Sequence, residues 1–554
     1  MRLYYPGEMA YVTPRRGRRF AGVTAGLTAA ALVLAGCSSP SSETTEDGSA
    51  PLTIGTTDKV STLDPAGSYD SGSSAVQNQV FPFLLTTPPG SPDVEPDIAA
   101  SAEFTAPSQY TVTLKPGLVW ANGNELTASD VKFSFDRQRT IDSDDGPSSL
   151  LYNLASVETP DESTVVFNLV VPDDQVFPQI LASPAGTIVD EESFSATELT
   201  ADDEIVVANA FGGQYVITTY DRNNLIEYSA NPDYDGLLSA AKTDVVNVKY
   251  YTDSANLKLD VEEGNIDVAF RSLTAADVDK LRDSESVKVI EAPGGEIRFV
   301  TFNFNTQPFG ATTEDADPAK ALAVRQAVAH LVDREAIAGK VYQDTYQPLY
   351  SYVPAGLTGA TESLKGLYGD GSGSPDADKA KSTLAAAGIT GKVALDLQYS
   401  SNYYGALSAD EYALIKDQLE ASGLFTVNLG KSDDWAQFTA DRSDDKFPAY
   451  QFGAVPDFSD ADNYLSKFFL TKNSLNNHYD DKDVNELILQ QAITADPAAR
   501  TALIQEIQDK IAAQLSTVPL LQGTQVAVTG TTVTGVEDTL DASNTFRYAA
   551  LAKG

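Results

Sequence analysis

Two histidines (His330 and His478) and one cysteine (Cys37) are the whole complement of imidazole and thiol side chains in 554 residues. That count excludes a disulfide scaffold and any Cys/His-rich metal site. His330 lies inside an apolar helical pattern and His478 in the polar stretch NNHYDD, and neither has a Cys or a second His nearby in sequence. Nucleophilic chemistry fares no better. No Gly-x-Ser-x-Gly elbow occurs, and Ser129-Asp130-Val131-Lys132 satisfies Ser-x-x-Lys without an accompanying Lys-Thr-Gly. Gly430-Lys431-Ser432 copies the end of a phosphate-binding loop, but Phe425 stands where that loop requires Gly. Acids are so plentiful (78 Asp+Glu against 38 Lys+Arg, net charge −40) that carboxylate pairs carry no information. The same field repels phosphate backbones, which excludes a nucleic-acid partner. An enzyme is not expected. Asp457, Asp460 and Asp462 cluster in PDFSDADNYL, yet without the 12-residue spacing, Gly and terminal Glu of a calcium loop. By default such acids are solvated loop residues.

These residues need elements to position them. From Pro51 onward, short alternating strands and amphipathic helices mix without a simple repeat. Tyr110, Val112 and Leu114 alternate up to the turn Lys115-Pro116-Gly117, and Val393, Leu395, Leu397 and Tyr399 alternate in the same way. Ser408-Ala409-Asp410-Glu411 has the form of a capping box, opening a helix that runs toward Gly423 and is followed by the strand Phe425 to Leu429. Strand, helix and strand in succession argue for βαβ units. Val324, Val328, Leu331 and Ile337 predict one long helix from Ala319 to Tyr342, carrying Arg325, which either reaches a cleft or pairs with an acid on its own helix. Trp435 and Tyr464 either line a pocket or pack in the core. Gly369 to Pro375 is a loop by composition.

The N-terminus has a separate logic. Arg2, Arg15, Arg16, Arg18 and Arg19 precede the apolar run Ala21 to Gly36, which is too short and too rich in Ala and Gly for a spanning helix. It ends in Leu34-Ala35-Gly36-Cys37, and this arrangement resembles a bacterial lipoprotein signal whose cysteine thiol takes the lipid. Residues 1–36 are then the signal, and 37–50, polar and aperiodic, a tether.

Trp120-Ala121-Asn122-Gly123-Asn124-Glu125-Leu126-Thr127-Ala128-Ser129-Asp130-Val131-Lys132-Phe133-Ser134 is the most distinctive stretch of the folded part. Thr62-Leu63-Asp64-Pro65 precedes it; Asn231-Pro232-Asp233-Tyr234, Glu263-Gly264-Asn265-Ile266-Asp267, Phe302-Asn303 and Val324-Arg325-Gln326-Ala327-Val328-Ala329 follow it. In type and order these blocks resemble family 5 extracellular solute-binding proteins of ABC importers. Gly212-Gly213-Gln214-Tyr215 departs from the family pattern in lacking its Pro.

The resemblance implies an α/β, two-lobed, type II-like periplasmic-binding-protein fold with an extra inserted subdomain (cluster C). Lobe I takes residues 51–90, 206–296 and 518–554, the inserted subdomain 91–205, and lobe II 297–517. It also implies a peptide ligand, captured by hinge closure and passed to a permease driven by an ATPase. The protein would be a monomer without cofactor or metal, held by lipid on Cys37 at the extracytoplasmic face of the cell membrane. A nickel chelate, an oligosaccharide or another nutrient is the alternative cargo, and a ligand sensor the alternative role. Pro456-Asp457-Phe458-Ser459-Asp460-Ala461-Asp462-Asn463-Tyr464 is similar to the family's Asp-Tyr-Pro-Asp-Pro-Asp-Asn-Phe loop. By that match Asp457 holds the ligand's α-ammonium. Ala454, where the family often has Trp, would widen the pocket, and Phe458, Trp435, Tyr464 and Arg325 complete the candidate ligand-binding set.

Overall fold

The protein's structure, a computed structural model, describes residues 50–543 and 545–554. The expected signal segment, Cys37 and nearly all of the expected tether lie outside the described residues.

The class is mixed α/β. One large sheet runs through the molecule in the order Phe425–Ser432, Val393–Ser400, Ala449–Ala454, Val287–Phe302, Thr517–Gly530, Val268–Phe270, Leu52–Thr56, Val245–Tyr250, Leu225–Ala230 and Tyr215–Asp221. Val393–Ser400 and Phe425–Ser432 pair in parallel across the helix Ser408–Ala421, which is the βαβ unit that the alternation predicts. A separate four-stranded antiparallel sheet, built from Ala99–Ala106, Gln109–Leu114, Thr164–Leu169 and Leu154–Glu158, packs against the helix Ala128–Ile141.

The large sheet is continuous but its apolar side chains bury in different cores. Leu395, Leu397, Phe299 and Val324 share one core, and Leu52, Ile54, Val246 and Tyr228 another. The four-stranded sheet has its own, around Trp120, Phe135 and Phe167. The two longest strands, Val287–Phe302 and Thr517–Gly530, feed the first two of these cores, and through Val287 and Val528 they also reach a smaller cluster around Leu257 and Leu281. Ile297, Phe299, Val518 and Leu521 bury in the first, while Ile290, Ala292 and Ala527 pack on the second. Their pairing slips between Pro293 and Ile297, at Gly294-Gly295-Glu296. Along Thr517–Gly530 the strand crosses between cores near Gln522 to Gln525: Val518, Leu520 and Leu521 pack in the first core and Ala527 in the second.

Two other expectations need correction. The helix over 319–342 is two helices, Pro318–Leu331 and Arg334–Tyr342. Val332 leaves the helical region (ψ 117), and Asp333 caps the second helix by accepting from the Ala336 N–H at 2.9 Å. The capping box at Ser408 does not form either. Leu407 is the N-cap, the Ser408 hydroxyl instead accepts from Gln451 Nε2 at 3.0 Å, and Glu411 is buried beneath the Tyr342 hydroxyl at 2.7 Å. A reciprocal box does open the helix Ala128–Ile141, where Thr127 accepts from the Ser129 N–H and Asp130 from the Thr127 N–H. That helix is tied to the chain start by Arg137, whose fork grips Asp64 at 2.8 and 2.5 Å with both side chains almost fully buried.

Candidate functional site

A cavity of about 300 Å³ opens between the core around Phe299 and the four-stranded subdomain, with Tyr69 at its edge. Its walls come from distant parts of the chain. Tyr69 stands before the helix Ser71–Val80, Ser149, Leu150 and Tyr152 belong to the four-stranded subdomain, and Glu296 and Arg298 lie on the long strand Val287–Phe302. Tyr403, Tyr404, Trp435, Phe452 and the loop 454–458 close the remaining side.

The sheet aims that loop into the cavity. Strand Ala449–Ala454 pairs with Val287–Phe302 and delivers its last residues to the cavity mouth, after which the chain turns into the helix Asp462–Phe469. Asn463, on that helix's first turn, fixes the turn: its amide oxygen accepts from the N–H of Asp457 at 3.0 Å and of Phe458 at 3.1 Å. The Asp457 carboxylate is thereby held between two donors, the Tyr69 hydroxyl at 2.7 Å and Lys467 Nζ at 2.9 Å. The Tyr69 bond spans 388 positions of sequence and joins opposite walls of the cavity. Burial, followed by the Asp457 charge, pushes the Tyr69 phenol well above its ordinary value, so it stays a donor at any physiological pH. Beyond Asp457 a second, smaller chamber of about 130 Å³ is lined by Ser71, Ser74, Asn78 and Arg271.

One wall of the cavity is aromatic. Tyr403 and Trp435 stack with ring centres 3.6 Å apart, and Tyr404 meets Trp435 edge-on at 5.6 Å. Behind this wall Arg298 anchors a polar network. It donates to Glu296 at 3.0 Å, to the Tyr342 hydroxyl at 2.7 Å, to the Tyr346 hydroxyl at 2.8 Å and to the Tyr404 carbonyl at 2.8 Å. Burial opposes the Arg298 charge, but the surrounding tyrosines, Glu296 and Glu411 keep the guanidinium firmly protonated. Burial also pushes the Glu411 carboxyl up, against the pull of Arg298 and Tyr342.

Of the residues singled out in the sequence, Asp457, Ala454, Phe458 and Trp435 line this cavity. Arg325 and Tyr464 do not. Arg325 is buried elsewhere, donating to the Gln514 carbonyl at 3.0 Å and to Gln307 at 3.1 Å over the Phe304 ring, and burial pulls its guanidinium down to about 10. Tyr464 is fully buried and donates to the Gly295 carbonyl at 2.6 Å, so it supports the loop from behind. Asp460 is occupied by a two-pronged bond from Arg500, 2.7 Å on each arm, and Asp462 by Ser466 and Gln491, so the three loop acids do not converge. Among the described residues, no group of three or more His, Cys, Asp or Glu is placed to hold a metal ion, and no helix is long and apolar enough to cross a membrane. His330 accepts from the Gly369 N–H and His478 bonds Asp445, both outside the cavity.

Sequence reasoning missed Lys467, Tyr69 and Arg298. Lys467 was legible in principle, since it lies one turn after Asn463 and shares its helix face. Tyr69 and Arg298 reach the cavity through long-range contacts that no local pattern announces.

Comparison with known proteins places this geometry. The profile of the bacterial extracellular solute-binding proteins, family 5 (middle region), matches residues 93–476. Escherichia coli (strain K12) supplies two similar proteins. One, described as a probable D,D-dipeptide-binding periplasmic protein, DdpA, is 27% identical over 56% of this chain, and the match spans 58% of DdpA's own length. The other, described as a dipeptide-binding protein, is 24% identical over 72% of this chain and 74% of its own. The solved structure of HbpA2 from Haemophilus parasuis superimposes with a TM-score of 0.76 at 19% identity, covering 91% of this chain and all of that one. The fold is thus the two-lobed periplasmic-binding-protein fold. The chain belongs to the family 5 bacterial extracellular solute-binding proteins.

Proposed function

We propose that this protein is the lipid-anchored receptor of an ABC importer, and that it captures a short peptide between its lobes. The observation that carries this reading is a carboxylate, Asp457, held at the wall of a cavity that separate cores close together. In a site shielded from water, a carboxylate facing a primary ammonium recovers in a charge-assisted bond part of what both groups lose in desolvation. The volume, about 300 Å³, falls at the small end for ligand sites and favours a peptide of very few residues. Trp435, Tyr403 and Phe452 offer a flat apolar wall for a side chain. The relatives described as dipeptide-binding support the same class of cargo.

In this reading the lobes hinge on the two long strands, at 294–297 and 522–525. The subdomain at 91–205 moves with the lobe whose core contains Leu52 and Ile54. Ligand bridges the walls, the lobes close over it, and the closed form docks on the permease. Lipid on Cys37 would keep the receptor at the extracytoplasmic face of the membrane, beside that permease.

The test is native mass spectrometry of the gently purified protein, followed by titration with free-amine and N-acetylated dipeptides. Bound masses in the peptide range are expected. Asp457→Ala should weaken a free-amine dipeptide by about 2–4 kcal/mol, the scale for removing one partner of a desolvated charge pair. Acetylation of the peptide should cost wild type a similar amount and cost the variant almost nothing. Identical titration curves for wild type and Asp457→Ala would remove Asp457 from the site.

A further inference from the structure

One charge in the cavity is not used by this reading. Lys467 lines the cavity, and one of its three N–H groups is directed to Asp457 Oδ2 at 2.9 Å. The lysine and aspartate side chains are only 27% and 15% exposed, so water screens the pair incompletely. The other ionic pair of the lining, Glu296 with Arg298, is closed on itself and on Tyr346, Tyr342 and the Tyr404 carbonyl, and the remaining acid of the lining, Asp462, is held by Ser466 and Gln491. Asp457 is therefore already neutralised before a ligand arrives. A ligand bringing only an ammonium would leave two cations around one carboxylate in a shielded cleft, and like charges so placed repel. A ligand that also brings an anion restores the balance.

We propose that Lys467 is a specificity-determining residue that converts the amino-terminal subsite into a zwitterion site. The ligand's free amine takes Asp457, and a carboxylate on the same residue takes Lys467. The substrate class that meets this demand is a short peptide with Asp or Glu as its first residue, because its side-chain carboxylate lies within a few ångströms of its own α-amine. The neighbouring Asn463, Ser466 and Ser474 make this the polar corner of an otherwise aromatic cavity. The Ser466 hydroxyl is turned to Asp462 and the Ser474 hydroxyl to the Lys467 carbonyl, which leaves the Lys467 ammonium as the group there for an acidic side chain. The inference rests on the peptide reading of the site and goes further by naming the first residue.

The experiment is calorimetric titration of the full-length protein with the dipeptides Glu-Phe and Gln-Phe, which have nearly the same shape and differ in charge. Wild type is expected to favour Glu-Phe by about tenfold, a factor typical of one partly buried charge pair. Lys467→Met, which keeps the length of the side chain and removes its charge, should abolish that preference. It should also bind Gln-Phe more tightly than wild type does, because Asp457 has lost its internal competitor. Lys467→Arg should retain the preference, and thermal melting establishes that both variants fold. Equal affinities in wild type, or a preference that survives in folded Lys467→Met, would overturn the role of Lys467 while leaving peptide capture intact. Failure of both dipeptides to bind any folded variant would overturn the peptide reading and this inference together.

Discussion

Asp462 is buried directly behind the loop that carries Asp457, and burial pushes its carboxyl up to about 7. The Ser466 hydroxyl and Arg500 oppose the shift, while Asp460 and Asp174 add to it. The sign of the consequence follows from proton counting. Between its unfolded value near 4 and about 7, the native state binds the proton and the unfolded state does not, so this residue's contribution to stability falls as pH rises across that window. Above about 7 both states are ionised, and the full cost of the buried charge remains. Asp462→Asn keeps an acceptor for Gln491 and Ser466 but cannot ionise. It should match wild type near pH 4 and exceed it at pH 8 by on the order of 1–3 kcal/mol in urea unfolding, with the gain developing between pH 4 and 7. A variant that loses stability equally at both pH values would mean that ionisation of Asp462 costs the fold nothing and that its carboxyl makes a contact Asn cannot replace. The contrast with Asp457, a few residues away in the same loop, shows what sequence can and cannot resolve at this scale. The loop was recognisable, and the structure puts it at the cavity wall, but the partners that separate its acids (Tyr69, Arg500 and Gln491) arrive from remote segments.

The elements that set the cavity's shape are the two long strands, and Gly294-Gly295 is where their pairing slips. A Cβ on residue 295 would stand 2.4 Å from the Pro456 ring and 2.8 Å from the Ala542 carbonyl, far inside contact distance. Pro456 adjoins Asp457, so the crossing strand and the cavity loop 454–458 can approach this closely only while residue 295 is Gly. Gly295→Ala should therefore push the loop off the strand and weaken ligand capture by about tenfold or more, an effect of roughly 1–3 kcal/mol in overpacked sites. Ligand titration beside a melting curve checks this, and an unchanged Kd would relieve Gly295 of the role. Strand alternation around Tyr110 and Val393 and the βαβ unit at 393–432 were legible because each is a local pattern with a single period. The helix break at Val332-Asp333 was not, because apolar residues continue in helical register across it and only the Asp333 cap marks the restart. At Ser408 the local signal was present and tertiary contacts overrode it: Glu411 serves Tyr342 and Arg298 inside the core rather than the helix end.

At the scale of the whole molecule, the sequence blocks indicated a two-lobed receptor because family order over a long chain is specific even where each block is weak. They could not give the exact crossing point, since Val518 and Leu521 are as apolar as any other strand residues and only packing assigns them to a lobe. That assignment has a thermodynamic consequence. The cores around Leu395 and around Leu52 share two strands, and Tyr69 bonds Asp457 across the cavity. The four-stranded subdomain meets the Leu395 side through Gln175 N–H with the Ala492 carbonyl at 2.8 Å, Thr358 with Asp93 at 3.3 Å, and the single Phe458 ring packed on the subdomain core. Contacts of this kind couple domains weakly compared with a shared apolar core. Without ligand, the lobes should melt as two overlapping calorimetric transitions. A ligand that touches both walls binds only when both lobes are folded, so at 100 times its Kd it adds about 2.7 kcal/mol to the joint native state. The lower transition should then move up by a few degrees and merge with the upper one, while the radius of gyration in solution scattering contracts. A single, calorimetrically two-state transition without ligand would show that the strands and polar contacts already make one cooperative unit, and closure would then have to be a small adjustment within it rather than a hinge motion between lobes.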